Sequence, residues 1–306
     1  MADDISIELT QEVVYDLSHP ILDQPPCTFA TVDKVPEVMV HRGDSSGEDF
    51  LTSVVSNLYQ NNGTHIDLPG HLPGAGGDEL MVGEYPPERF VGKVLVLDVS
   101  QFLSPIADFF DQAGHLRIDQ NDSLQLERFI SQLDQMEISR EFLEEKLEAV
   151  TDLKGIALST GLVNYWRHEV HPSTSYIYFF NPFLSEDACE YLAEISPKLS
   201  IVAIDSFQLE HPIINFNGNE QVLAGAQGLR EKVHRILDDR KIFRNHYILL
   251  GNDILIYENV NLPPWMAGKM LRWMGQPLNF QLPNLSDNAL VRPVAEVIEP
   301  SQGVLR

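Results

Sequence analysis

Residues 61–71 read Asn61-Asn62-Gly63-Thr64-His65-Ile66-Asp67-Leu68-Pro69-Gly70-His71, and the rest of the chain is best read outward from them. His65 and Asp67 are two positions apart. On an extended backbone, residues i and i+2 point to one face. An imidazole and a carboxylate then converge on one point, as a divalent ion requires. Pro69 and Gly70 break the extended run, and that bend can return His71 over the same point from a second direction. Gly63 lets the backbone approach closely just before the candidate ligands. The competing reading is a hydrogen-bonded His65–Asp67 pair that stabilises a turn.

A second polar pair, His246 and Glu258, lies far along the chain around Gly251-Asn252-Asp253. If Tyr247–Leu250 and Ile254–Tyr257 form a hairpin, both side chains return to the same end. If the first limb is the end of a helix, Gly251 is its C-cap and the strand runs back alongside. In both geometries Glu258 leaves the end of a buried strand, a usual place for site residues in α/β proteins. A structural ion pair is the alternative.

Between and around these clusters, strand and helix patterns alternate. Val13–Leu17 reads as a short strand, and Val91–Val99, Gly155–Ser159, Leu199–Ile204 and Ile254–Tyr257 as buried β-branched or aliphatic strands. Asp49–Tyr59 has apolar spacing that fits a helix and partly fits strands. Ser123–Val150 carries helical spacing that restarts at Ser139, so two helices are expected. Ser185–Ile195 is a helix with Ser185 at the N-cap and acids in its first turn, and Glu231–Leu237 also reads as helical. Pro25-Pro26 reads as loop, and the tail after Pro283 as an irregular arm. The expected class is α/β with partly parallel pairing.

Composition sets the outer bounds. The 306 residues hold 21 Lys+Arg against 45 Asp+Glu, a formal charge of −24. That acidity argues against a nucleic-acid partner, which needs a basic stripe, and against an anionic membrane surface. No run is long and apolar enough to span a membrane. The first twenty residues lack the basic and apolar regions of a secretory signal. Cys27 and Cys189 cannot form a disulfide framework, and both read as buried filler in a reducing, cytoplasmic setting.

Other motifs carry less. His168-Glu169-Val170-His171 has one residue between Glu and the second His, where a zinc-protease helix needs two, so it reads as loop. Gly74-Ala75-Gly76-Gly77 lacks the spacing of a phosphate cradle. Trp166, Phe179 and Phe180 are candidates to line a substrate pocket, with core packing as the default.

Gly63-Thr64-His65-Ile66-Asp67-Leu68-Pro69-Gly70-His71 resembles the signature of the cyclase family of metal-dependent hydrolases, which includes bacterial kynurenine formamidases and isatin hydrolases. Further segments match in order: Tyr15–Pro20, Gly92–Asp98, Thr160-Gly161, Asn181–Ser185, Ala203–Asp205, and His246 through Asn259. The resemblance spans residues 13–262. It implies a swivelling β/β/α-type cyclase fold, a mixed sheet with flanking helices, in one domain over residues 1–306. Residues 104–150 read as a longer helical insertion. The family also implies a homo-oligomer, dimer or tetramer, and one or two divalent ions, Zn²⁺ or Mn²⁺. Carried over by position, His65, Asp67, His246 and Glu258 are metal ligands and His71 is the acid/base.

Two positions depart from the family. Asn61 stands where relatives carry a further His ligand, and a carboxamide oxygen there shifts preference toward Mn²⁺ or Mg²⁺ or lowers occupancy. Gln208 stands where an Ile-Asp-x-x-Ser pattern would place Ser. The expected function is hydrolysis of an amide, formamide or cyclic amide bond of a small molecule by metal-activated water. The alternatives are a metal-dependent cyclase or dehydratase acting on a small carbonyl compound, and a non-catalytic small-molecule binder.

Overall fold

The computed structural model describes residues 13–19, 37–45, 48–56, 63–72, 75, 77, 80–119, 122–148, 150–165, 177–196, 198–213, 243–278 and 288–298. Its centre is a nine-stranded mixed sheet in the order β1-β13-β11-β5-β7-β9-β10-β4-β12. The strands are β1 (Val14–Asp16), β4 (His65–Asp67), β5 (Val91–Asp98), β7 (Gly155–Ser159), β9 (Ile201–Ile204), β10 (Leu255–Glu258), β11 (Met270–Met274), β12 (Asn288–Leu290) and β13 (Val294–Ile298). Strands β5, β7, β9 and β10 run parallel at the centre, and the outer pairs are antiparallel. The expected mixed sheet with flanking helices is therefore present.

The central strands are apolar on both faces because both faces are covered. Along β5, Val94 and Val96 join one core cluster while Leu95 and Leu97 join the other. Each such side chain, fully buried, contributes roughly 1.5–3 kcal/mol of transfer free energy. Gly155 opens β7 where a β-carbon would lie 2.5 Å from Ile201 Cβ, so neighbouring β9 is admitted only by the missing side chain.

Helices cover the second of these faces. Helix α4 (Glu186–Glu194) supplies Ala188, Cys189 and Leu192, and α5 (Arg244–Gly251) supplies Ile248, Leu249 and Leu250. Ser185 caps α4 by accepting from Ala188 N at 3.0 Å, as its position predicts. Burial raises the Cys189 thiol pKa well above the ordinary value, which fits a filler role.

The 104–150 stretch forms a short helix α1 (Ser104–Ala107), then α2 (Ser123–Leu133) and α3 (Arg140–Leu147). Ser139 marks the expected restart and accepts from Phe142 N. Asp122 caps α2 through Leu124 N and Gln125 N. A two-residue strand, β6 (Glu137–Ile138), separates α2 from α3 and pairs with β8 (Phe183–Leu184). Beneath α1 and α2 lies an aromatic cluster that includes Phe110, Phe129, Tyr178, Phe179 and Phe180.

Three readings are corrected or settled. The tail is not an irregular arm: β12 and β13 both join the main sheet, because Val294-Ala295-Glu296-Val297-Ile298 has the β-branched content of a strand. The ambiguous Asp49–Tyr59 run falls largely in strand β3 (Glu48–Ser56), which pairs with β2 (Glu37–Ser45) as a separate hairpin. Gly251 is not the C-cap of α5 but its last residue; Asn252 is the cap, and the left-handed residue is Asp253 at φ 57°. The Pro25-Pro26 loop, Cys27, the helix over 231–237 and the 168–171 segment lie outside the described residues.

Candidate metal centre

Three residues make up β4, and two of them carry the chemistry. Thr64 Oγ1 accepts from His19 N at 2.8 Å and donates to Asn259 O at 2.6 Å. That ties the entry of β4 to the exit of β10. Gly63 turns at φ +89°, which a side chain would strain, and its carbonyl accepts from Asn259 Nδ2 at 3.1 Å. Tyr178 OH then donates to Asn259 Oδ1 at 2.8 Å, which joins the aromatic cluster to the same scaffold.

Sheet register brings the ligand candidates together. Glu258 stands opposite His65, and Ile256 opposite Asp67. Directly paired residues point to one face, so His65, Asp67 and Glu258 share it. His65 Nε2 lies 3.6 Å from Asp67 Oδ1 and 3.6 Å from Glu258 Oε2. Among the described residues these three offer ligand atoms within 4.8 Å of one another. All three are buried.

His246 comes from α5 and closes the group from above the sheet. Its Nε2 is 3.1 Å from Glu258 Oε1 and 3.4 Å from Asp67 Oδ2. The helical alternative for residues 247–250 is the one observed, with the strand running back alongside. His71 ends the 3₁₀ turn Pro69–His71 that follows β4, with its ring centroid 6.3 Å from that of His246. Pro69 at the start of that turn produces the bend expected from sequence.

Each inner imidazole is held by its other nitrogen. His65 Nδ1 is 2.9 Å from Gly63 O, an acceptor only, so Nδ1 carries a proton and Nε2 is the nitrogen turned toward the carboxylates. His246 Nδ1 is 2.9 Å from Glu210 Oε1, which also accepts from His246 N at 2.8 Å. Glu210 therefore satisfies an otherwise orphaned first-turn N–H of α5 and fixes the ring with the same oxygen. Asn181 Nδ2 donates to Gln208 O at 2.8 Å, and Asn245 Nδ2 donates to Leu209 O at 3.0 Å. These bonds hold the loop that carries Glu210.

The charge balance of the pocket is unusual. Burial pushes the Asp67 carboxyl upward, but His65, His71 and His246 outweigh it and hold its pKa at about 2. Burial raises Glu258, with His246 opposing. Burial lowers His246, yet the surrounding carboxylates of Asp67, Glu210 and Glu258 win and raise it well above the ordinary histidine range. Asp67 Oδ1 and Glu258 Oε1 are buried and make no hydrogen bond with the described residues; the 3.1 Å approach of His246 lacks hydrogen-bond geometry. Buried polar atoms are rarely left this way without a ligand.

Asn61 and Trp166 lie outside the described residues. Phe179 is 3 % exposed and packs edge-on against Tyr178 and Phe207 in the aromatic cluster. Sequence reading missed Glu210, Asn259 and Thr64. Thr64 and Asn259 were visible as motif neighbours, but an acceptor for the far nitrogen of a histidine leaves no spacing signal.

An α/β sheet with buried imidazoles and carboxylates converging at its strand ends defines a class of candidate metal-site proteins. Comparison narrows the class: residues 15–211 match the model of a family described as putative cyclase. The chain belongs to the cyclase family. No curated protein sequence matches it. Isatin hydrolase A from Labrenzia aggregata, solved with benzyl benzoate, is 16 % identical, with 94 % of each chain covered and a TM-score of 0.57. Isatin hydrolase A from Ralstonia solanacearum is 14 % identical, covering 94 % of this chain and 92 % of that one, at a TM-score of 0.55. A predicted metal-dependent hydrolase from Bacillus stearothermophilus is 16 % identical, with coverage of 93 % and 98 % and a TM-score of 0.55. At these identities the likeness shows a shared fold.

Proposed function

We propose that the chain is a metal-dependent hydrolase that opens an amide, formamide or cyclic amide bond of a small molecule. The observation that carries this reading is a pair of buried carboxylate oxygens that make no hydrogen bond with the described residues, Asp67 Oδ1 at 3.6 Å from His65 Nε2 and Glu258 Oε1 at 3.1 Å from His246 Nε2. Nitrogen and oxygen donors in this mixture suit Zn²⁺ or Mn²⁺. His65, Asp67, His246 and Glu258 would hold the ion, with Asn61 as a further candidate. When bound, a divalent ion polarises a carbonyl and lowers the pKa of water.

The protein's own residues do the rest. Gly63 O and Glu210 hold the Nδ1–H groups of His65 and His246, so Nε2 is the nitrogen each would offer to an ion. His71, beside His246 on a tight turn, is the group placed to take a proton from the attacking water and return it to the leaving nitrogen. The aromatic cluster reaches Asn259 through Tyr178, and Phe179 and Trp166 are the substrate-lining candidates by sequence. The same reading takes residues 1–306 as one cytoplasmic catalytic domain, with 104–150 as an added helical element, acting as a homodimer or higher homo-oligomer.

Metal analysis of purified and Zn²⁺- or Mn²⁺-reconstituted protein tests the reading, followed by a screen of N-formyl arylamines, lactams and lactones. The expected result is bound divalent ion and turnover that His71→Ala abolishes. Reconstituted protein that retains no divalent ion would refute it. Because the family is described as a cyclase, product mass separates the second reading: hydrolysis adds water, dehydration removes it, and cyclisation leaves the mass unchanged.

A further inference from the structure

The parallel strands have a second set of ends. The ligand cluster gathers where β10 closes at Glu258, and β5, β7 and β9 run parallel with it. At the opposite ends, where β5, β7 and β9 begin, lies a cleft of about 670 Å³. That size suits a small organic molecule.

Its lining reverses the sign of the chain. Three of the chain's eight lysines line it, Lys93, Lys154 and Lys198, against one carboxylate, Asp152, in a chain of formal charge −24. Lys93 Nζ is 2.7 Å from Asp152 Oδ2, so that pair is matched. Lys154 and Lys198 form no ion pair with the described residues. Packing places Lys154. A β-carbon on Gly92 would lie 2.4 Å from Lys154 Cβ and 2.5 Å from its Cγ, so the missing side chain lets the lysine stem lie against β5. Its backbone is tied on both sides: Lys154 N donates to Lys93 O at 2.8 Å, and its carbonyl accepts from Ser200 N at 2.8 Å. Burial, and then the nearby charge of Arg89, lower the pKa of its ammonium, a strain that a neighbouring anion would relieve.

The rest of the wall is apolar. Leu147 comes from the last turn of α3, Ile195 from the end of α4, and Leu153 and Leu199 from the residues leading into β7 and β9. Tyr191 adds an aromatic ring. Charged groups over an apolar wall match a ligand with an ionic head and an apolar body.

We infer that this cleft is a binding site for a small amphipathic dianion, an apolar body that carries a phosphate monoester or a pair of carboxylates. Two unpaired ammonium groups call for two negative charges. No guanidinium lines the cleft, so the planar fork that grips a single carboxylate is missing. Ammonium groups act as point charges with rotatable donors, which suits a tetrahedral phosphate or two separate carboxylates. The inference is independent of the hydrolase reading, because no residue of the ligand cluster takes part.

Calorimetric titration of the purified protein with phenyl phosphate and with phthalate tests it, with inorganic phosphate and benzyl alcohol as the head and the body alone. Saturable binding of either dianion supports the site and names its head group. That dianion is expected to bind at least about tenfold more tightly than inorganic phosphate or benzyl alcohol. Lys154→Gln and Lys198→Gln are each expected to weaken it about fivefold or more. Lys269→Gln removes the same charge outside the cleft and should change affinity less than about twofold. Asp67→Asn should leave binding intact, since the ligand cluster is at the other end of the strands. Absence of saturable binding by both dianions, or inorganic phosphate bound as tightly as phenyl phosphate, overturns the inference. So does a loss in Lys269→Gln equal to that in the cleft variants, which reports net charge alone. Binding lost in Asp67→Asn but kept in both cleft variants places the anion at the ligand cluster and overturns it as well.

Discussion

Two buried aspartates end neighbouring parts of the same sheet and behave in opposite ways. Asp205 follows β9 and accepts from Thr160 N at 2.8 Å, Thr160 Oγ1 at 2.6 Å and Gly161 N at 3.2 Å. Asp67 ends β4, and its Oδ1 accepts nothing from the described residues. Yet burial carries the Asp205 pKa up to about 7 against those three donors, while three histidines hold Asp67 at about 2. Neutral donors satisfy a carboxylate's geometry without repaying the loss of water around its charge; opposite charges do repay it. Asp205 is thus a bracket between β7 and β9, and Asp67 an ionised group set among histidines.

That contrast can be broken at either end. The largest effect is expected from Asp67→Asn: metal uptake measured by calorimetry falls by more than the roughly 100-fold ceiling of outer-sphere losses, and turnover falls to background. Asp205→Ala should do the reverse. It strands the Thr160 and Gly161 donors and costs about 2–4 kcal/mol by denaturant unfolding, with metal affinity of the folded fraction nearly retained. Equal effects of the two substitutions on metal affinity would erase the distinction.

A smaller effect is expected at Glu210. Glu210→Ala frees the His246 ring and leaves its Nδ1–H unpaired, so metal affinity should fall about 10- to 100-fold, with partial recovery in Glu210→Gln. The smallest effect is a slope. Between the ordinary value of 3.8 and about 7, the folded protein keeps a proton on Asp205 that the unfolded chain has released. Stability therefore falls as pH rises through that window, by up to about 1.4 kcal/mol per unit, and is independent of Asp205 outside it. Asp205→Asn should remove that component of the pH profile. Asp67 has the opposite sign: its contribution is present above 3.8 and is lost as pH falls toward about 2.

The legibility of the molecule followed how local each cause was. Val94–Leu97 and Ile156–Leu158 announced themselves because a stretch of strand buried on both faces is apolar at each position. His65 and Asp67 share a face because extended backbone alternates, so their spacing sufficed. Ser185 was readable as a cap, and Ser139 as the restart of a helix, because capping is settled within three residues. Val294–Ile298 was passed over because Pro and Asn upstream suggested an arm, whereas the strand's place is set on one side by β1, at the other end of the described chain, and on the other by β11. Gly251 looked like a helix terminator, but it is a position of close approach to Ala75, which no local pattern announces.

By itself, the sequence determined the alternating α/β order, the apolar central strands and the His65–Asp67 pair, because each depends on backbone periodicity and burial along a short segment. Tertiary structure alone decided that Glu258 faces His65 through strand register, that Glu210 aims His246, and that Lys93, Lys154 and Lys198 line one cleft. Those relations depend on strand order and on which side chains lose water together. Segments distant in the chain fix both, so no window of residues contains them.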